Sequence, residues 1–166
     1  LHRGVYVGCV LRFSDSLNTF RMLLPELGRV HSVRVDCQSY LPDWRPKRAY
    51  QDSYSARDQE GGVLRDMVHE IDYAGWLFGW PMKVQARLET TGRLGIGAEE
   101  LAALAWQAPA GCLVSVNLDY LSKPTRRFMT AFGERGSMAW DGVAGTVTML
   151  KEDSPVEEMK HPQTVD

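Results

Sequence analysis

The sequence predicts an α+β domain built on one large, mostly antiparallel β-sheet, and three observations lead there. Only two segments carry helical spacing of apolar residues. From residue 82 onward the pattern is one of short alternating runs separated by turn residues. Helices segregated from a run of hairpin-spaced strands are the mark of this class. The chain of 166 residues is long enough for one hydrophobic core, and its apolar fraction of 44% is ordinary for a globular protein.

The first helix opens at Ser14-Asp15-Ser16, whose side chains can take free backbone N–H groups. Leu17, Phe20, Leu24 and Leu27 follow at helical spacing, Pro25 shortens the element, and Gly28 offers a left-handed stop. Val33, Val35 and Cys37 then alternate with Arg34, Asp36 and Gln38, which predicts a strand with one buried face.

Residues 40–60 have no period and exceed an ordinary connection, a common trait of functional loops. Tyr40, Trp44, Tyr50 and Tyr54 are interleaved there with Arg45, Lys47, Arg48 and Arg57. Such a mixture suits a sugar, a carboxylate or a nucleotide. Aromatics that only pin the loop down explain it equally well.

Gly61-Gly62 opens the strongest helix, expected to run unbroken from Val63 to Phe78 and to end at Gly79 and Pro81. At about 100° per residue, Leu64, Met67, Val68, Ile71, Ala74, Gly75 and Phe78 share one face, and Asp66, His69, Tyr73 and Trp76 line the other. Tyr and Trp in line with Asp and His predict a helix covered on both sides, its polar stripe facing a cleft or another domain.

Strands are predicted around Val84, Ala86 and Leu88, at Val114–Tyr120, Arg127–Phe132, Ser137–Trp140, Thr146–Leu150 and Val156–Lys160. Residues 98–107 are ambiguous: Glu99 to Trp106 has helical propensity, whereas Pro109-Ala110-Gly111 before a clean strand favours a hairpin. About seven or eight strands result.

Charge and motifs exclude several functions. Nineteen basic against 21 acidic residues give a net charge of −2, which disfavours a nucleic-acid binder. No apolar run approaches the ~20 residues that span a bilayer. Cys9, Cys37 and Cys112 form neither a Cys-x-x-Cys pair nor an even set, so reduced thiols in a cytoplasmic protein are expected, with no disulfide scaffold and no metal site. There is no P-loop and no nucleophile elbow, and Gly92–Gly97 lacks the dinucleotide spacing. The best chemical candidate is Asp66 with His69: residues three apart on a helix are neighbours, and a carboxylate beside an imidazole makes an acid/base pair for neutral pH. An ordinary structural contact between them has the same spacing.

The run Glu60-Gly61-Gly62 through Asp66, His69, Asp72, Trp76-Leu77 and Gly79 resembles the helix signature of the glucose–fructose oxidoreductase/inositol dehydrogenase/MocA (Gfo/Idh/MocA) family. Arg12-Phe13, Leu118-Asp119-Tyr120, Pro124 to Arg127 and Gly133 to Trp140 are similar to further family positions. Tyr40 to Pro46 with Tyr54-Ser55-Ala56 resembles a subgroup associated with nonulosonic (sialic-acid-like) and other surface sugars.

The resemblance implies an open sheet with helices on one face, and a strand at residues 99–108. It implies that residues 1–166 form a single substrate-binding and oligomerisation domain, read as a piece of a longer chain whose N-terminal Rossmann domain and closing C-terminal helix lie outside it. The whole protein is then an NAD(P)-dependent oxidoreductase of a sugar or polyol hydroxyl or ketone. The Rossmann domain would hold the NAD or NADP and supply a catalytic Lys, so this chain alone is expected to hold no cofactor-binding residues and to be inactive. His69 is the implied base, with Asp66 tuning it. Many members place that Asp four residues before the His, where this sequence has Arg65. Arg12, Trp44, Arg45, Tyr54, Tyr120 and Arg127 are expected to bind substrate, as Arg forks suit carboxylate or phosphate and aromatic faces stack on sugars. A small-molecule sugar or polyol is the expected partner, together with a homo-oligomer formed through the sheet face, and neither nucleic acid nor membrane. The competing expectation is a non-catalytic module for sugar binding or self-association.

Overall fold

The computed structural model describes Gly4, residues 7–152 and residues 154–162. Among these residues three α-helices, α1 (Asp15–Leu23), α2 (Val63–Asp66) and α3 (Val68–Phe78), accompany eight strands. The strands are β1 (Val30–Gln38), β2 (Val84–Glu89), β3 (Leu101–Gln107), β4 (Leu113–Asp119), β5 (Arg126–Gly133), β6 (Gly136–Asp141), β7 (Thr146–Leu150) and β8 (Glu157–Lys160). They form one sheet in the order β2-β3-β4-β1-β5-β6-β7-β8. Every pairing is antiparallel except β1 with β4. The expected α+β class with one large, mostly antiparallel open sheet is what the chain adopts.

Alternation decides the faces. Val33, Val35 and Cys37 of β1, Val114, Val116 and Leu118 of β4, and Met129 and Ala131 of β5 all point to the helix side and are buried. Trp140 of β6 fastens both helices: its indole donates to Ser16 Oγ at 2.9 Å, and its ring meets Tyr73 of α3 edge-on at 5.3 Å. Ser14 caps α1, accepting from Leu17 N. Pro25 ends it in a 3-10 turn, Leu24–Leu27, and Gly28 follows at φ 69°.

Residues 99–108 are largely the strand β3, and Gly111 at φ 89° turns it into β4. Pairing overrides the helical propensity there because Ala102, Leu104 and Trp106 all fall on the buried side. Loop 40–60 is a chain of three 3-10 turns, Leu41–Asp43, Tyr50–Asp52 and Tyr54–Ala56.

The long helix departs from expectation. Met67 leaves the helical region at φ −100°, ψ 34° and separates α2 from α3. A single helical wheel therefore does not carry across it. Val68 is 48% exposed, whereas Glu70, Tyr73 and Ala74 make the buried line of α3. Tyr73, placed by its spacing on the cleft-facing stripe, points instead into the core. The remaining stripe is His69, Asp72 and Trp76, all half-buried.

β2 is an edge strand whose apolar side extends past the helices, leaving Val84 and Leu88 about half exposed. On the far side of the sheet Arg34 stacks over Phe132 and Arg126 over Phe128, at 5.1 and 4.7 Å, with no helix above them among the described residues. Among the described residues no helix is long and apolar enough to cross a membrane.

Candidate functional site

The glycine pair before α2 brings two distant parts of the chain together. A Cβ on Gly61 would collide with the Tyr54 carbonyl, and Gly62 N donates to Ser55 O at 3.1 Å, so the helix start lies directly on the 54–56 turn. Gly62 itself sits at φ 99°, and Glu99 Oε1 accepts from Leu64 N at 3.2 Å to cap the helix from outside. This apposition sets Asp66 against the end of β4.

There the buried Tyr120 hydroxyl donates to Asp66 Oδ2 at 2.5 Å. Burial and this carboxylate both raise the Tyr120 phenol well above its usual range. Tyr54 is raised for the same two reasons, burial first and Asp66 next, while the Arg45 charge opposes the shift. Trp44 lies edge-on to Tyr120 at 5.4 Å, held by its indole N–H on Ser39 Oγ at 2.8 Å. Five of the expected residues, Trp44, Arg45, Tyr54, Asp66 and Tyr120, thus gather at one place. Trp44 and Tyr54 are 38% and 46% exposed and offer ring surface to a ligand. Tyr120 has no exposed surface; its hydroxyl reaches Asp66 and its ring meets Trp44.

Arg12 occupies a different position. Its Nε and Nη2 donate to the two oxygens of Asp72 at 2.8 and 2.5 Å. The Arg12 guanidinium holds the Asp72 carboxyl below its usual range, against burial, with help from Cys9 and from the neighbouring His69. Arg12 and Arg21 both lie over the Trp76 ring, at 5.6 and 4.8 Å. The N-terminal 3-10 turn (Val10–Phe13) and α1 are thereby tied to the His69–Asp72–Trp76 stripe.

Arg127 is the third case. It lies on the helix side of β5, opposite Cys37, and its Nε donates at 2.6 Å to Glu70 Oε1, whose side chain is fully buried. Burial, with the Glu70 charge next, pushes the Cys37 thiol up to about 12, so it is an inert core thiol. Arg127 also borders a cavity of about 580 Å³ beside the start of α1, lined by Val10, Phe13 and Asp15.

Arg65, which occupies the position four before His69, donates to the carbonyls of Asp58 and Gly61 at 3.0 Å each. Its guanidinium is committed to the loop. Among the described residues no hydrogen bond joins Asp66 to His69, and no group of three His, Cys, Asp or Glu side chains is gathered to hold a metal ion. Sequence reasoning passed over Asp72 and Glu70. Asp72 stood three after His69, within reach on a helix, and Glu70 stood one turn before the core residues Tyr73 and Ala74.

Comparison with solved structures places the fold. Levoglucosan dehydrogenase in complex with NADH superposes with a TM-score of 0.80 at 17% identity, over 93% of this chain and 46% of its own. The WlbA dehydrogenase from Bordetella pertussis, in complex with NADH and UDP-GlcNAcA, gives 0.67 at 22%, over 92% and 45%. An inositol dehydrogenase homolog from Azotobacter vinelandii, complexed with NAD+, gives 0.74 at 12%, over 89% and 41%. The chain therefore spans less than half the length of these relatives, and at such identities the likeness is one of fold. No curated protein sequence matches it. The sequence profile of the GFO/IDH/MocA C-terminal domain matches residues 25–139, most of the chain, and the protein belongs to that family.

Proposed function

We propose that this chain is the substrate-binding domain of an NAD(P)-dependent oxidoreductase acting on a hydroxyl or ketone of a sugar or polyol, a nucleotide-linked or other surface sugar included. The observation that carries the reading is the gathering of Trp44, Arg45, Tyr54 and Asp66 at one place, at the start of the helical segment that goes on to His69. Exposed Trp and Tyr rings suit a sugar face, and the exposed Arg45 guanidinium suits a carboxylate or phosphate on it. Half-buried His69 takes the hydroxyl proton on oxidation and returns it on reduction. Asp66 fixes the loop side of the site through Tyr120. Arg12 and Arg127 act on the site by holding Asp72 and Glu70.

The dinucleotide supplies hydride exchange when bound. Gly92–Gly97 falls in the β2–β3 connection rather than ahead of a helix, which supports the reading that the pyrophosphate is not held there. That group belongs, in this reading, to another part of the protein, and the chain alone is inactive. The three free cysteines suit a reducing compartment such as the cytoplasm. The uncovered sheet face, with its Arg–Phe stacks, suits a homo-oligomer and also supports the alternative of a self-association module.

The test is His69→Ala in the whole enzyme. A base at this position predicts kcat lower by about 10²–10⁴-fold with the acid limb of the pH–rate profile lost. An unchanged profile would overturn the assignment.

A further inference from the structure

Two carboxylates flank His69 at three residues on either side, Asp66 before it and Asp72 after it. Equal spacing does not make them equal neighbours. Between Asp66 and His69 the backbone leaves the helix at Met67, so the three-residue proximity of a regular helix fails on that side. Asp66 is drawn instead to Tyr120, at 2.5 Å, and toward Tyr54. From Val68 to Phe78 the helix is continuous, so His69 and Asp72 stand one above the other on the same half-buried stripe.

Asp72 is also the better fixed of the two. Its side chain is 13% exposed and is gripped by the fork of Arg12. Arg12 is in turn stacked on Trp76, which Arg21 flanks as well. We propose that Asp72, clamped by Arg12, is the carboxylate that positions His69, a role the family resemblance had suggested for Asp66. The charged and titratable groups around the imidazole are consistent with this division. Arg12 and Cys9 reach the stripe from the N-terminal turn, and Arg21 reaches it from α1. On α2, Arg65 is turned to loop carbonyls and Asp66 to Tyr120. Glu70 lies on the opposite side of α3, on Arg127. Asp72 and Arg12 are positioning residues; of the three, only His69 meets the substrate.

The catalytic meaning of the pair rests on His69 being the base, but the pairing itself is testable without turnover. The imidazole of His69 is followed by NMR through a pH titration of this chain, with His69→Gln to assign its signal. Asp72→Asn is expected to lower the His69 pKa by about 0.5–1 unit, and Asp66→Asn by less than half of that. A larger drop with Asp66→Asn, or none with Asp72→Asn, overturns the proposal. If Asp72→Asn does not fold, coupling is read in the opposite direction, because it is reciprocal. His69→Gln is then expected to raise the pKa of the Asp72 carboxyl and leave that of Asp66 in place; the reverse pattern overturns the pairing. A coupled His69–Asp72 pair together with unchanged turnover in His69→Ala would sink the base assignment and leave the pairing standing.

Discussion

Tyr120, at the end of β4, donates its buried hydroxyl to Asp66 of α2, 54 residues away in sequence, at 2.5 Å. This bond joins the sheet to the short helix that precedes His69. Tyr120→Phe keeps the ring against Trp44 but removes the donor from a partly buried carboxylate. The expected cost is about 1–3 kcal/mol in urea unfolding. A loss below about 0.3 kcal/mol would mean that water replaces the hydroxyl.

The Glu70–Arg127 pair is buried on its acidic side. Arg127→Met strands that carboxylate, which is also left with Oε2 unpartnered. The expected loss is about 3–5 kcal/mol, and the double variant Glu70→Gln/Arg127→Met should recover part of it. Additive losses in chemical denaturation would show that the two side chains are not coupled.

Gly62 and Gly95 both have positive φ, but only the first is crowded. A Cβ on Gly62 meets the Glu99 carboxylate that caps Leu64 N, whereas nothing lies within 4 Å of one on Gly95. Gly95→Ala should therefore cost about 1 kcal/mol from backbone strain alone. Gly62→Ala should cost at least about twice that, because the cap is lost as well. Equal melting temperatures for the two variants would refute the capping role of Glu99.

Acid should unfold the chain through Asp72 and Glu100. Burial pushes the Glu100 carboxyl up, but Thr91 and the backbone N–H groups of Leu94 and Thr91 outweigh it and leave it lowered. Asp72 is lowered by Arg12. In both cases the unfolded chain binds the proton more readily than the folded one. The stabilisation is therefore present above the unfolded values, about 3.9 for Asp and 4.3 for Glu, and is lost as pH falls through the folded ones. Melting temperature should fall as pH drops below about 4. Glu100→Gln should start lower and fall less steeply, and an unchanged slope would exclude Glu100 as a source.

On the uncovered sheet face Thr130 of β5 and Ala139 of β6 stand directly opposite each other. If this face joins two copies, Ala139→Arg should halve the mass measured by light scattering while leaving the circular dichroism unchanged. A wild-type mass of one chain at all concentrations would remove the oligomer from the proposal.

Much of the fold was legible in the amino-acid order, because alternation and helical spacing record which side of an element is dry. Val33-Val35-Cys37, the Ser14 cap and the Gly111 turn each follow from local chemistry. The interleaved aromatic and basic residues of loop 40–60, and the identity of His69 as a candidate, could also be read from the chain. Local chemistry alone could not settle three matters. The strand β3 has helical propensity; the family resemblance pointed to a strand there, and β2 and β4 make it one by pairing with it on both sides. The break at Met67 moves Tyr73 from the predicted polar stripe to the core, beside the buried Glu70, and no helical wheel drawn through Val63–Phe78 includes it. The partners of Asp66, Arg12 and Arg127 come from 54, 60 and 57 residues away, so one-dimensional spacing does not contain them, and only the tertiary structure brings in Tyr120, Asp72 and Glu70. Periodicity fixes the faces of single elements; only the packing of elements decides which polar groups are left to meet a substrate.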